Sequence, residues 1–257
     1  MKREYVQIYK KFMVSVSKRR NLWYDRFIRA RYLVPARKAG VGRDGSERMN
    51  DKFFDLKKEK QDRMINASLK VFALQGYRHA STDDIVREAA ISKGLLFHYF
   101  ESKLGVYRFT YDYSVRYMNL ELRSTVDPGE KDLFEVVKQT ECARMHAMRG
   151  YPYMQQFLNR SASENVSEAL LAIEEKKGTL EETYRAIDGQ IDYCALPGGV
   201  DGGKLRKMLD FTFKGLMTER FQDASFQPEM LYDEICGYLD MVKKMVYLPG
   251  LNGPSAG

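Results

Sequence analysis

From residue 57 onward the chain carries apolar residues at helical spacing almost without interruption, and this restricts it to one fold class. Ile65, Leu69, Phe72 and Gly76 fall at i, i+4, i+7 and i+11, one face of a helix that ends at Gly76. Ser81-Thr82-Asp83-Asp84 supplies two N-cap candidates with acidic residues in the first turn, opening a helix through about Ala89. Ser92 caps a short helix over about 93–99, with Ile91 and Leu96 as its hydrophobic staple, and Ser102 caps a fourth over about 103–123. The fourth is apolar on two faces, Leu104, Tyr107 and Tyr111 on one and Val106, Phe109 and Tyr113 on the other. A helix of that kind is buried between others. Further helices are predicted at about 131–149, 152–162, 165–191, 203–222 and 228–247, parted by Pro- and Gly-bearing turns. No segment alternates as a β-strand does. The expected fold is all-α.

Composition supports a soluble globular chain. It has 257 residues and is 44% hydrophobic, enough for a real core, yet no apolar run approaches the roughly 18 residues a membrane span needs. The opening MKREYVQIYKKF breaks every apolar stretch with charge, so no signal peptide is drawn. Cys142, Cys194 and Cys236 are few, odd in number and far apart, which argues against a disulfide scaffold and for a reducing cytosol. The expectation is a cytoplasmic protein with no membrane partner. The net charge of +7 is unevenly placed. Residues 1–48 hold 14 Lys and Arg against 4 Asp and Glu, whereas residues 49–257 hold 28 against 31. The basic segment reads either as a tail for nucleic acid or an anionic surface, or as dispensable codons upstream of a start at Met49. Residues 36–48, with three glycines and no periodic apolar set, read as a linker.

The most informative segment is 81–103, STDDIVREAAISKGLLFHYFESK. Two short capped helices around a tight Ala90-Ile91 turn have the dimensions of a helix-turn-helix, and equally of an ordinary αα-hairpin. Read as the former, the second helix can enter a major groove while caps and backbone N–H groups meet phosphates. Gly94 lets a phosphate or base approach the backbone, Lys93 and Lys103 can neutralise phosphates, and His98 and Tyr99 offer hydrogen bonds.

ISKGLLFHYFESK resembles the recognition-helix signature of the tetracycline-repressor (TetR) family of bacterial regulators, and the likeness extends over about residues 57–107. The resemblance implies DNA contacts at Thr82, Ser92, Lys93, Gly94, His98, Tyr99 and Lys103, with Phe100 in the core. Three positions depart from the family pattern. Ala90 stands where glycine is common, Phe97 where tyrosine is common, and Leu104 where an acidic residue often follows the lysine. By the same resemblance, residues 57–103 form a three-helix DNA-binding domain and residues 104–247 a larger helical domain for ligand binding and dimerisation, with a flexible tail at 248–257. The implied function is a ligand-responsive regulator, most often a repressor, binding a palindromic double-stranded operator as a homodimer. A non-specific nucleoid-type DNA binder and an enzyme on the C-terminal helices are the competing readings.

The remaining chemistry is sparse. Residues 198–204 have the glycine and lysine spacing of a phosphate-binding loop, but Leu205 replaces the required Ser or Thr, so the stretch reads as a helix–helix loop. Cys142 and His146 share a helical face at i, i+4 without further ligands, so no metal is expected. His79, His98 and His146 accompany no nucleophile and acid in a recognisable arrangement, and no cofactor is implied. Tyr107, Tyr111, Met145, Met148 and Phe157 are candidate linings for a small apolar or amphipathic ligand, with a plain Met-rich core as the alternative. Leu209, Phe213 and Leu216 on one late helix, and Ile235, Leu239 and Val242 on the next, are candidate dimer contacts unless both faces serve the protomer's own core.

Overall fold

The structure is a computed structural model that describes residues 52–223 and 225–248. The expectations for residues 1–48, and for the tail beyond Leu248, lie outside the described residues. The chain divides after Gln61 into two compact units. In the first, the Gln61 side-chain amide donates to the carbonyls of Phe54 (3.0 Å) and Leu56 (2.6 Å).

The described residues form nine α-helices and no strand. They are α1 (Lys58–His79), α2 (Thr82–Ala89), α3 (Lys93–Phe100), α4 (Lys103–Thr125), α5 (Leu133–Gly150), α6 (Met154–Ala162), α7 (Ser167–Asp188), α8 (Gly202–Arg220) and α9 (Pro228–Val246). The all-α expectation holds, and most boundaries fall within about two residues of those read from sequence. The break expected at Gly76 is present, because its φ of 70° and ψ of 172° interrupt the α1 ladder. A left-handed φ is costless only for glycine, and the backbone uses it here to turn.

Three serines start α2, α3 and α4 as capping chemistry predicts. Ser81 Oγ accepts from the Asp83 N–H, Ser92 Oγ from Leu95 and Ser102 Oγ from Gly105. Each satisfies one of the orphan donors of its helix and contributes about 1 kcal/mol. The α2–α3 pair is then anchored by Ile85, Ala89, Leu96 and Phe100, all buried. The Phe100 ring lies 4.8 Å from that of Phe109 on α4.

Helix α4 is central and packs chiefly against α7 and α5, while α9 lies on α5. Its Tyr107 and Tyr111 join Phe72, Tyr77 and Phe157 in an aromatic cluster that ties α1, α4 and α6 together. Burial pushes the phenols of Tyr107 and Tyr111 up to about 12. Tyr107 nevertheless finds a partner in Ser161 Oγ at 3.1 Å. A second link is polar: Tyr113 and Tyr151 hydroxyls meet at 2.6 Å, and Tyr151 donates to Asp62 at 2.8 Å.

The structure corrects two expectations here. The five pocket candidates do not converge on one space. Tyr107, Tyr111 and Phe157 belong to the aromatic cluster, Met148 to the core between α5, α8 and α9, and Met145 is buried on α5. The dimer candidates Leu209, Phe213, Leu216, Ile235 and Leu239 are buried in that same protomer core, with Val242 packed against it. An apolar stripe on a helix has one first claimant, and α5 covers it. The opposite faces of α8 and α9 carry the exposed apolar residues, Phe211 at 62%, Met241 at 50% and Met245 at 53%.

Candidate nucleic-acid interface

The order of short helices dictates what α3 can present. With 3.6 residues per turn, Leu96, Tyr99 and Phe100 form one stripe, and all three are buried. The other side exposes Ser92, Lys93, Gly94 and His98, with Leu95 and Phe97 half-buried beside them. Thr82 is half-buried at the start of α2. Tyr99 therefore sits with the packing residues and meets His98 edge-on at 4.9 Å. The i, i+3, i+4 spacing of Leu96, Tyr99 and Phe100 is the sequence signal that separates them.

The exposed face is suited to an anionic partner. A Cβ at Gly94 would meet nothing within 4 Å, so the backbone at the start of α3 is open to close approach. Lys93 Nζ pairs with Asp83 at 2.8 Å, but both side chains are more than half exposed. Such a pair contributes little, so Lys93 can exchange Asp83 for a phosphate at small cost. His98 presents a ring with two nitrogens, and Phe97 an apolar edge of the kind that contacts a thymine methyl.

Lys103 stands at the start of α4, as expected, and its ammonium is engaged within the chain. Its ammonium donates to the carbonyls of Tyr77 (3.0 Å) and Ala80 (3.3 Å) and lies 4.5 Å above the Tyr77 ring. It fastens the end of α1 to the start of α4, while remaining only half-buried. The turn before α3 places Ala90 at φ 51° and ψ 53°, the left-handed conformation that a glycine would adopt without strain. The next junction is tighter: a Cβ at Gly105 would overlap the carbonyl oxygen of Phe100.

Elsewhere, Gly199 has a positive φ of 90° and Asp201 caps α8 by accepting from the Lys204 N–H, so 198–204 is a helix–helix loop. Cys142 Sγ lies 3.7 Å from His146 Nε2. Among the described residues no group of three or more His, Cys, Asp or Glu side chains is placed to hold a metal. None of the described helices is long and apolar enough to cross a membrane.

Comparison with known proteins points one way. The family described as "Bacterial regulatory proteins, tetR family" matches residues 64–108, which run from α1 through α2 and α3 into α4. The HTH-type transcriptional regulator SrpR of Pseudomonas putida is 30% identical over 169 residues, covering 62% of this chain and 72% of that protein. The uncharacterized HTH-type transcriptional regulator TtgW, also of Pseudomonas putida, is 36% identical over 80 residues, 31% of this chain. That match spans 58% of TtgW's length. A crystal structure of a TetR family transcriptional regulator from Chloroflexus aurantiacus superposes with a TM-score of 0.50 at 20% identity, over 76% of this chain and 95% of that one. The last likeness is one of fold.

Proposed function

The chain belongs to the TetR family of bacterial regulatory proteins, and on that premise we propose that it is a transcriptional repressor that binds a palindromic double-stranded operator as a homodimer. The observation that carries the reading is the outward face of α3. A capped helix start with an open glycine, an exchangeable lysine and an exposed histidine stands on a buried Leu96-Tyr99-Phe100 stripe. Phosphate contact falls to Thr82, Ser92, Lys93 and the Gly94 backbone, and base contact to His98 with Phe97 beside it. Tyr99 and Lys103 set the position of α3 and its junction with α4. A reader of chromosomal DNA works in the cytoplasm.

The proposed dimer uses the faces of α8 and α9 that carry Phe211, Met241 and Met245, in an isologous arrangement. Two copies of α3 then address two half-sites separated by about one helical turn, 34–36 Å. A small-molecule ligand that binds more tightly to a conformer with a different spacing lowers operator affinity by that difference.

The deciding experiment is selection of duplexes from a random library by the full chain, followed by binding curves at fixed salt on selected and scrambled sequences. A regulator prefers its selected site by about 10³-fold or more. Equal affinity for both duplexes would instead identify a nucleoid-type binder and remove the proposal.

A further inference from the structure

The residues that close α1 do more than hold Lys103. Gly76, Tyr77, Arg78 and His79 also form one wall of a cleft of about 850 Å³, whose other walls are the end of α6 with the loop after it and the C-terminal half of α8. That volume is in the range of small-molecule sites. It contains three permanent cations, Arg78, Arg160 and Lys214. All three are exposed and none lies within 4 Å of a described carboxylate, although the charge of Arg160 reaches Glu164. The lone acid of the lining, Glu164, is already engaged by the backbone N–H groups of Tyr77 (3.2 Å), Asn165 (2.9 Å) and Val166 (3.0 Å). The rest of the lining is rich in side-chain amides and hydroxyls, Asn159 and Thr218 among them. The Arg160 guanidinium lies against Gly76, 3.1 Å from where a Cβ at that position would sit.

We propose that this cleft is an effector site for a small oxyanion ligand, one bearing carboxylate or phosphate groups, held by Arg160, Lys214 and Arg78. Arginine suits such groups because its planar fork donates in pairs to two oxygens, and lysine adds a point charge. The regulatory consequence rests on the operator-binding reading above. Gly76 to His79 line the cleft, and the same turn supplies the Tyr77 and Ala80 carbonyls that hold Lys103. Lys103 opens the helix that follows α3, so an anion drawing Arg160 away from Gly76 acts on the junction that sets the reading helix.

The test uses the full chain with citrate and inorganic pyrophosphate as probes, titrated calorimetrically at matched ionic strength against sodium chloride. The proposal expects saturable binding of at least one probe, and the stronger of the two shows whether carboxylate or phosphate is the preferred source. Arg160→Gln with Lys214→Gln should weaken that binding by about tenfold or more, a change of about 1.4 kcal/mol. Lys204→Gln with Lys207→Gln, the same loss of two charges away from the cleft, should leave it within about twofold. Thr218→Trp, at an exposed position on the cleft rim, should block binding sterically without removing any charge. In a second assay the bound probe should weaken operator binding by about fivefold or more in the wild type and not in the double variant. Absence of saturable binding, or binding that the double variant and Thr218→Trp leave unchanged, would overturn the proposal without touching the DNA reading. Loss of DNA affinity in the double variant with no probe present would overturn it too, by assigning these cations to DNA phosphates.

Discussion

Lys103 and Tyr77 are joined twice, through a hydrogen bond of 3.0 Å from the ammonium to the Tyr77 carbonyl and through the Tyr77 ring 4.5 Å beneath it. The ammonium thus satisfies an end carbonyl of α1 and opposes the negative end of that helix. Lys103→Met should therefore lower stability by about 1–3 kcal/mol, read as a fall in the urea midpoint at unchanged slope. It should weaken binding to operator and scrambled duplexes together, since α3 loses its setting. An unchanged midpoint with lost DNA affinity would return Lys103 to a pure phosphate contact.

Two glycines at helix starts should respond oppositely to alanine. Gly94 is open on all sides, so Gly94→Ala should raise stability by up to about 1 kcal/mol through helix propensity while weakening DNA binding. Gly105→Ala should destabilise by about 2 kcal/mol or more, because the Phe100 carbonyl has to move. Chemical denaturation of both variants, with one anisotropy titration of Gly94→Ala, checks the pair.

Ala90 holds a left-handed conformation that its Cβ disfavours. Ala90→Gly should relieve the strain and stabilise the chain by about 0.5–1 kcal/mol after the extra freedom of the unfolded glycine is counted. A lower urea midpoint for the variant would show that the turn is unstrained.

Phe211→Glu should leave the protomer folded and prevent association, whereas Leu209→Glu should unfold it, since Leu209 is 1% exposed and Phe211 is 62% exposed. Sedimentation equilibrium at micromolar concentration separates the outcomes. A folded Phe211→Glu protein that still dimerises would move the interface elsewhere.

Glu164 is held below the usual carboxylate range: burial opposes this, but the N–H groups of Asn165, Val166 and Tyr77, helped by the charge of Arg160, outweigh it. A folded value below the unfolded one of 4.5 means the contribution is present above pH 4.5 and is lost as pH falls through the folded value. The stability gap between wild type and Glu164→Gln should accordingly be constant at neutral pH and close on acidification below 4.5. Melting curves across that range test it.

The caps at Ser81, Ser92 and Ser102 were legible because capping is local: a side chain reaches a backbone donor two or three residues away. Ala90 was legible through the family resemblance, as a position where glycine is common. Lys103 was not, because its carbonyl partners lie 23 and 26 residues earlier and meet it only after α1 packs on α4. The faces of α8 and α9 had two readings, dimer contact or protomer core, because an amphipathic stripe states that a face is covered and leaves open by what. Here α5 covers it, and the exposed Phe211 and Met241 on the other side are the residues left over. The cleft cations escaped notice because Arg78, Arg160 and Lys214 come from three separate helices and share no spacing.

The division of labour within α2 and α3 bears on how such a protein can diversify. Ile85, Ala89, Leu96, Tyr99 and Phe100 face inward, while Lys93, Gly94 and His98 face out. Substitutions on the outward set scarcely disturb folding, so sequence preference can drift through viable intermediates without a compensating change in the scaffold. On the operator-reading role proposed for that face, duplicated copies of this gene would acquire new target sites by a few codon changes in one short stretch, each step leaving a foldable protein.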